Sequence, residues 1–230
     1  MEFVKLPSGY TVKNQEICAF KTKGSFQSYT YLMAGTHGDE PEGVYVVQKL
    51  FEWLKEENPS TTPLVIIPVL NMDGYKEGTR VNANGVDLNR NYPSEDWTPE
   101  IREPKYNPGN SPLSEPENKF LDKLFQKYSP HLILSIHSWK PFINYNGDCK
   151  NVAEFLAKYN GYEIMGEIDG HPTPGSLGNY GPEKYSAPVL TFECPVVDEN
   201  TNLDSIWKVN EEAFKNLLKS HLVLAKKSHY

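Results

Sequence analysis

Short runs of apolar residues predict the strands of this chain. They lie at residues 28–34, 64–70, 131–136 and 189–192. The second run, LVIIPVL, is apolar along almost its whole length, which is typical of a strand covered on both faces of a sheet. The sequence therefore predicts a sheet whose central strands are buried on both sides.

Apolar residues at helical spacing predict helices between these strands, over residues 42–55, 114–128, 152–159 and 204–226. The second helix opens with Ser114-Glu115-Pro116-Glu117, which has the S-x-x-E form of a capping box. Alternating strands and helices indicate an α/β fold with a mostly parallel or mixed sheet. In such sheets, functional sites gather at the carboxyl ends of the strands.

A long segment, residues 71–112, is rich in Asn, Gly and Pro and shows no periodic pattern. We expect a connection without regular structure there. Connections of this length are uncommon inside a compact domain and usually carry function.

Composition narrows the class of protein. A chain of 230 residues suits one α/β domain, which we expect to span residues 1–230. The net charge of -7 and the absence of a Lys/Arg block argue against a nucleic-acid partner. No stretch is apolar enough to span a bilayer, and the first residues lack the pattern of a secretory signal. We expect a cytoplasmic protein, although the sequence leaves open a leader that has been removed.

Two residues with metal-binding side chains follow the first predicted strand. His37 and Glu40 stand three positions apart in one loop, and imidazole nitrogen and carboxylate oxygen are both zinc ligands. Taken alone, H-x-x-E is also common in surface loops. His137 ends the third predicted strand, where, taken alone, a histidine packed in the core is the better-supported interpretation. Together the three form a His/Glu/His set with an open fourth position, and we expect one zinc ion per chain.

Glu193 follows the fourth predicted strand. A carboxylate delivered by a buried strand is costly unless it is paired or functional. Beside a metal site it would act as the general base that activates water. Arg80, Asn89 and Arg90 flank or belong to the segment GVDLNRN, and an arginine fork matches a carboxylate in two places. The alternative for these arginines is a structural ion pair in a turn-rich loop.

Taken together, these motifs resemble the zinc carboxypeptidase family of the pancreatic carboxypeptidase type. THGDE, NMDG, GVDLNRN, SEPE, SIHSW and TFE occur in the family's order and approximate spacing, from about residue 29 to residue 195. Within the family, AGTHGDE, NANGVDLNRN and the later TPGS are most similar to the bacterial murein peptide amidase A branch. The resemblance implies a zinc-exopeptidase (phosphorylase/hydrolase-like) sandwich, with a central mixed sheet and helices on both faces.

The resemblance also implies a zinc metallopeptidase with defined residue roles. The zinc ligands would be His37, Glu40 and His137, and the general base would be Glu193. Arg80 resembles the arginine that polarises the scissile carbonyl and stabilises the oxyanion.

The remaining roles concern the substrate and the scaffold. Asn89 and Arg90 resemble the pair that binds the terminal carboxylate of the substrate. Asp87 and Glu117 resemble scaffold residues, and Asp87 is alternatively a partner of the metal ligands.

One departure from the family concerns the tyrosine near the scissile amide. His171 stands at its approximate position, either as a hydrogen-bond donor or as a loop residue without a role. The segment resembling the specificity pocket, GSLG at residues 175–178, lacks the Asp with which relatives select a terminal Lys or Arg. Gly178 leaves room for a longer side chain, and such a pocket also suits large apolar residues.

The resemblance implies hydrolysis of a peptide bond next to a free C-terminal carboxylate. The expected substrate is a small murein tripeptide met during cell-wall recycling, cleaved between γ-D-glutamate and meso-diaminopimelate. One alternative is a general metallocarboxypeptidase acting on L-peptides. Another is a zinc amidohydrolase of the aspartoacylase or succinylglutamate desuccinylase group. Its members carry a further β domain after the core, whereas the residues after Glu193 read as helix here. A third is an inactive peptide-binding module, which we would expect to lack a ligand or the base.

Overall fold

The computed structural model describes residues 2–57, 62–166 and 172–224. Strands and helices alternate along this part of the chain. The strands are β1 (Phe3–Lys5), β2 (Gly9–Tyr10), β3 (Glu16–Ile17), β4 (Phe20–Thr22), β5 (Tyr29–Ala34), β6 (Leu64–Ile67), β7 (Pro130–Trp139), β8 (Phe142–Asn146), β9 (Glu163–Met165) and β10 (Val189–Pro195). The α-helices are α1 (Pro41–Glu57), α2 (Met72–Glu77), α3 (Pro116–Lys127), α4 (Lys150–Asn160), α5 (Leu177–Tyr185) and α6 (Leu203–Lys219).

Eight of the strands form one mixed sheet in the order β1-β4-β6-β5-β7-β10-β8-β9. The central strands β6, β5, β7 and β10 run parallel to one another, while β8 runs antiparallel to β10. The carboxyl ends of the four parallel strands therefore meet at one edge. The register pairs Glu193 of β10 with His137 of β7, which brings two predicted site residues to the same level of that edge.

Both faces of the sheet are covered. Leu32 and Ala34 of β5 belong to a core cluster that includes residues of α1, α4 and α6, whereas Tyr31 and Met33 belong to a second cluster with residues of α3 and α5. Alternate residues of one strand thus enter opposite cores, because successive side chains of a strand point to opposite faces. This confirms the predicted central mixed sheet with helices on both faces.

The structure corrects the prediction for residues 71–112. This segment contains α2 and two 3-10 helices, Leu88–Arg90 and Pro104–Tyr106, rather than irregular structure alone. The side chain of Asn71 caps α2 by accepting from the amide of Gly74, and Gly78 closes the helix with a φ of 65°. Local caps of this kind stabilise a helix too short to show a period.

Two helix ends also differ from the prediction. Helix α3 begins at Pro116, and its N-cap Glu115 makes no side-chain capping bond, so the predicted capping box is wrong. Ser114 instead donates to the Glu115 carboxylate at 2.7 Å. A proline fits the first helical position because its fixed φ is already helical and it lacks an N–H that would need a partner. Helix α6 ends at Lys219. The predicted residues 225 and 226 lie outside the described part of the chain.

Among the described residues, no helix combines the length and the apolar character needed to cross a membrane.

Candidate active site

The structure brings His37, Glu40 and His137 together. His37 and Glu40 lie in the loop between β5 and α1, and His137 lies near the carboxyl end of β7. Their ligand atoms all lie within 4.8 Å of one another. Glu40 is in the middle: its Oε1 lies 2.7 Å from His37 Nδ1 and its Oε2 lies 2.7 Å from His137 Nδ1. All three residues are buried.

Two glycines in this stretch allow the loop and α1 to lie close to their neighbours. A Cβ on Gly38 would lie 2.0 Å from the carbonyl carbon of Gly74. A Cβ on Gly43 would lie 2.6 Å from the carbonyl oxygen of Ile136, the residue before His137. Gly38 therefore lets the loop that carries Glu40 pack closely against α2, and Gly43 lets α1 pack closely against the strand that carries His137.

The outer nitrogens of the two imidazole rings have partners of their own. His37 Nε2 lies 3.1 Å from Asp87 Oδ1, and His137 Nε2 lies 3.0 Å from Ser135 Oγ. An ionised carboxylate only accepts, so His37 donates from Nε2. A neutral ring protonated at Nε2 leaves Nδ1 unprotonated, which is the form that binds a metal. Glu40 Oε1, at 2.7 Å, requires a proton on Nδ1 in the same way, so a metal ion bound at Nδ1 would take the place of that proton while Nε2 keeps its own.

This donor set fits a zinc ion. In a tetrahedral site with bonds of about 2.0 to 2.2 Å, ligand atoms lie about 3.4 Å apart. Two imidazole nitrogens and a carboxylate are a ligand combination found in zinc peptidases. One more observation suits a bound ion and substrate: within the described residues, the buried Oε2 of Glu193 has no hydrogen-bond partner. An orphaned buried oxygen is unusual unless a ligand or water meets it.

The carboxylates of this site have displaced pKa values. Burial raises the pKa of Glu193 to about 7, and the negative charge of Glu40 adds to that rise while His137 and Arg80 oppose it. Burial also acts to raise the pKa of Glu40, but His37 and His137 hold it well below its usual range. The pKa values of these two carboxyl groups therefore move in opposite directions, as expected when only one of them is hydrogen-bonded to the two histidines.

Asp87 connects the predicted metal site to the predicted oxyanion arginine. Its Oδ2 accepts from Arg80 Nε at 3.1 Å and Arg80 Nη2 at 3.0 Å, and its Oδ1 accepts from the backbone amide of Asn89 at 2.8 Å. Burial opposes ionisation of Asp87, yet His37 and Arg80 hold its pKa below the usual range. Arg80 Nη1 also lies 3.7 Å from Glu40 Oε1. Asp87 is therefore both a scaffold residue and a partner of a predicted ligand.

Asn89 and Arg90 lie in the 3-10 helix that Asp87 caps. The Asn89 side-chain oxygen accepts from the Leu177 amide at 2.9 Å, which leaves its Nδ2 group as the donor. Arg90 Nη1 donates to the backbone oxygen of Asn89 at 2.7 Å. In the described part of the chain, Arg90 makes no ion pair, and burial lowers the pKa of its guanidinium. A partly buried cation without a close ion-pair partner is suited to receive an anion.

The structure corrects one prediction about the pocket. Gly178 lies in the first turn of α5, but the space left by its missing side chain is filled by Asn146, whose Oδ1 would lie 2.8 Å from a Cβ there. The expected room for a long side chain is therefore occupied at this point by an amide. His171 lies outside the described residues.

Sequence reasoning missed two residues at this edge of the sheet. Glu42 is buried in the first turn of α1, where it accepts from Ser138 Oγ at 2.6 Å and from the Val197 amide at 2.8 Å. It thereby ties the ends of β7 and β10 to α1. The available signal was a second carboxylate two positions after Glu40. Tyr106 lies beside both Arg80 and Arg90, and a tyrosine in an irregular segment gives no such signal.

The chain matches one known protein family and several individual relatives. The profile of the family described as zinc carboxypeptidase matches residues 4–216. Murein peptide amidase A of Escherichia coli (strain K12) is 32% identical over 201 residues, covering 83% of this chain and 79% of that protein. Murein peptide amidase A of Vibrio campbellii is 27% identical over 215 residues, covering 88% of this chain and 84% of that protein.

Solved structures with the same fold differ in their sequence identity to this chain. The crystal structure of the murein-tripeptide amidase of Escherichia coli O157 aligns with a TM-score of 0.74 and 26% identity, covering 93% of this chain and 90% of that one. Bovine thrombin-activatable fibrinolysis inhibitor aligns with a TM-score of 0.76 at 18% identity, covering 96% and 88%. The second likeness concerns the fold alone.

Proposed function

Since this chain belongs to the zinc carboxypeptidase family and is a zinc metallopeptidase, we propose that it hydrolyses murein peptides at a peptide bond next to a free C-terminal carboxylate. The bond we propose is the one between γ-D-glutamate and meso-diaminopimelate in free murein tripeptide. The similarity to murein peptide amidase A of two bacteria supports this substrate class. The absence of an Asp in Gly175-Ser176-Leu177-Gly178 supports a substrate other than a peptide ending in Lys or Arg.

The observation that carries the proposal is the buried cluster of His37, Glu40 and His137 beside the unpartnered oxygen of Glu193. The three residues of the cluster would hold the zinc. When bound, the ion supplies Lewis-acid chemistry, which polarises a carbonyl and makes water more acidic. Glu193 takes a proton from the attacking water at its carboxylate and passes it to the leaving amine. Its Oε2, which has no hydrogen-bond partner among the described residues, is available for both transfers.

Arg80 stabilises the negative charge that develops on the scissile carbonyl oxygen. Two hydrogen bonds to one oxygen of Asp87 fix the guanidinium in place, and its remaining Nη1 group lies near Glu40. A donor held in position before the reaction needs no reorganisation as charge develops. Asp87 therefore acts through Arg80 and His37 rather than on the substrate itself.

Asn89 and Arg90 bind the terminal carboxylate. The amide group of Asn89 and the unpaired guanidinium of Arg90 are both donors, and a carboxylate only accepts. Arg90 thereby gains an ion-pair partner, which it lacks among the described residues. This interaction exists in the ground state and in the transition state, so it contributes mainly to binding.

The proposal is tested by digestion of defined peptides with the purified zinc-loaded protein, followed by mass spectrometry. One arm holds the murein tripeptide. The others hold all-L peptides that end in Phe, Leu, Lys or Glu. We expect the tripeptide to be cleaved at the highest kcat/KM, with release of free diaminopimelate.

Glu193→Gln serves as the control for a contaminating peptidase, since it removes the base and preserves the shape of the site. Preference for an all-L peptide would contradict the murein assignment and leave the hydrolytic mechanism standing. Absence of cleavage of every peptide, with zinc bound, would contradict the proposed reaction as a whole.

A further inference from the structure

Tyr106 contacts both arginines to which the proposed reaction assigns a role. The Cζ atom of Arg80 lies 5.2 Å from the centroid of the Tyr106 ring, and the Cζ atom of Arg90 lies 5.3 Å from it. Both distances fall within the range of about 6 Å in which a guanidinium is attracted to the negative face of an aromatic ring. One ring is therefore shared by two cations.

The ring is attached firmly to the segment that carries those arginines. Tyr106 ends the 3-10 helix Pro104–Tyr106 and donates its amide to Glu103 O at 2.9 Å. The carbonyl of the next residue, Asn107, accepts from the Asp87 amide at 2.8 Å. The Asn107 side chain donates to Gly85 O at 2.9 Å. These hydrogen bonds thus hold the backbone that carries the ring in a fixed position relative to the residues around Asp87.

The same turn borders two pockets. One, of about 680 Å³, is lined by Arg80, Lys105 and Asn107. The other, of about 300 Å³, is lined by Arg90, Lys105 and Tyr106. The turn at residues 104–106 therefore borders both the space next to Arg80 and the space next to Arg90.

The two arginines differ in how else they are held. Arg80 is fixed by Asp87, whereas the guanidinium of Arg90 donates to the Asn89 carbonyl, lies beside the Tyr106 ring and makes no ion pair in the described part of the chain. Two nearby cations repel each other, and an electron-rich ring that attracts both offsets that repulsion. Tyr106 is thus placed to set the separation of Arg80 from Arg90.

From this geometry we propose that Tyr106 is a positioning residue that fixes the spacing between the arginine for the scissile carbonyl and the arginine for the terminal carboxylate. The inference rests on the proposed function. That spacing makes the site prefer substrates whose free carboxylate belongs to the residue next to the scissile bond. Tyr106 acts through Arg90 and Arg80 and does not itself react.

The test compares two substrates that differ only at the C-terminus, one with a free carboxylate and one with the carboxamide. The ratio of kcat/KM for the free carboxylate to kcat/KM for the carboxamide measures how well Arg90 is positioned to bind the carboxylate. We expect Tyr106→Leu to reduce this ratio by about five- to tenfold, which is the size of one cation–π contact at a partly exposed site. Tyr106→Phe keeps the ring and should keep the ratio within about twofold of the wild type.

Two controls separate positioning from a general effect on stability. Tyr128 is also half-buried and has Lys21 and Lys127 near its ring, at 5.9 and 5.5 Å. It has no contact with either arginine, so Tyr128→Leu should leave the ratio unchanged. In an Arg90→Ala background, Tyr106→Leu should change the ratio no further. If Tyr106→Leu does not fold, Tyr106→Met carries the same comparison with a longer side chain.

The outcomes distinguish the inference from the proposed function beneath it. Equal loss of activity on both substrates in Tyr106→Leu would show that the tyrosine only supports the loop, and the inference would be wrong. A ratio near one in the wild type would instead show that the protein does not read a terminal carboxylate, and the proposed function would be wrong.

Discussion

Replacing Asp87 by Asn tests whether one buried carboxylate supports both the zinc site and the oxyanion arginine. Asp87 is fully buried and receives donors on both oxygens. Its Oδ1 accepts from His37 and from the Asn89 amide, and its Oδ2 accepts from Arg80. An asparagine keeps one acceptor oxygen and presents N–H donors on the other side. Either orientation of the amide therefore sets donors against donors.

The expected effect follows from the contacts that are lost. Removing one partner of a buried ion pair costs about 3 to 5 kcal/mol. The Arg80 side chain is 22% exposed and can reach water, so we expect the lower end, about 3 kcal/mol in the free energy of unfolding. Loss of a carboxylate partner to a metal-ligating histidine typically lowers metal affinity by about 10- to 100-fold. We expect a weakening of zinc binding in that range.

Two assays measure these effects. Denaturant unfolding gives the stability, and competition with a chelator gives the dissociation constant for zinc. Asp122→Asn is the matched control, because Asp122 is also buried but accepts from Tyr180, Tyr185 and Gln126 rather than from a site residue. The control should retain zinc affinity. An Asp87→Asn protein that binds zinc within twofold of the wild type would refute the role of Asp87 as a support for His37.

Three further predictions follow from the site. Glu193→Gln should retain zinc, measured by elemental analysis, and lower kcat by about 10²- to 10⁴-fold because the base is gone; a near-normal rate would assign the base elsewhere. Arg90→Ala should mainly raise KM for peptides with a free carboxylate and Arg80→Ala should mainly lower kcat, since the first contact is made in both states and the second develops in the transition state; steady-state kinetics with exchanged phenotypes would reverse the two roles. Burial raises the pKa of Glu117 to about 7, well above the ordinary value of about 4.3, so the folded state holds a proton that the unfolded state has released between these pH values. The contribution of Glu117 to stability should therefore be fully present below about pH 4 and be lost as the pH rises through 7, by on the order of 3 kcal/mol in total. Urea unfolding at pH 5 and pH 8 should show a larger fall in stability in the wild type than in Glu117→Gln, in which the buried Glu193 still contributes a fall over the same range.

The sequence predicts those parts of the fold whose residues follow a clear pattern of apolar positions. Strands β5, β6, β7 and β10 are predictable because they coincide with short apolar runs. His37, His137 and Glu193 end or follow these runs, which predicts that they meet at the carboxyl edge of the sheet. The mixed sheet and its two helical layers followed from the alternation of strands and helices.

Elements that depend on tertiary contacts left no such pattern. Strands β1 to β4, β8 and β9 have two to five residues, which is too short for a period to emerge. Helix α2 has six residues and forms because of its caps, and α5 contains Pro182, which disrupts a helical pattern. The Asn146 amide beside Gly178 belongs to β8, which is distant in the sequence, so the residues of GSLG alone do not predict this contact.

The two open alternatives for Asp87 illustrate a different limit. The sequence suggests that Asp87 is either a scaffold residue or a partner of the metal ligands. The distances in the structure show that one residue can have both roles. In the structure one carboxylate group serves His37 through Oδ1 and Arg80 through Oδ2. The motif GVDLNRN is therefore a single structural unit, in which the supporting residue and the predicted substrate-binding residues share one turn.

The balance of charge in this site suits the proposed zinc ion and the proposed anionic substrate. The site contains the carboxyl groups of Glu40, Asp87 and Glu193 and the guanidinium groups of Arg80 and Arg90. When all three carboxyl groups are ionised and the histidines are neutral, the net charge of the described site is one negative charge. A divalent ion reverses that sign, and a terminal carboxylate then neutralises it. The whole chain carries -7 and would repel such a substrate at long range. Attraction of an anionic peptide is therefore a local property of the loaded site, and by linkage the carboxylate of the substrate and the zinc ion should each strengthen the binding of the other.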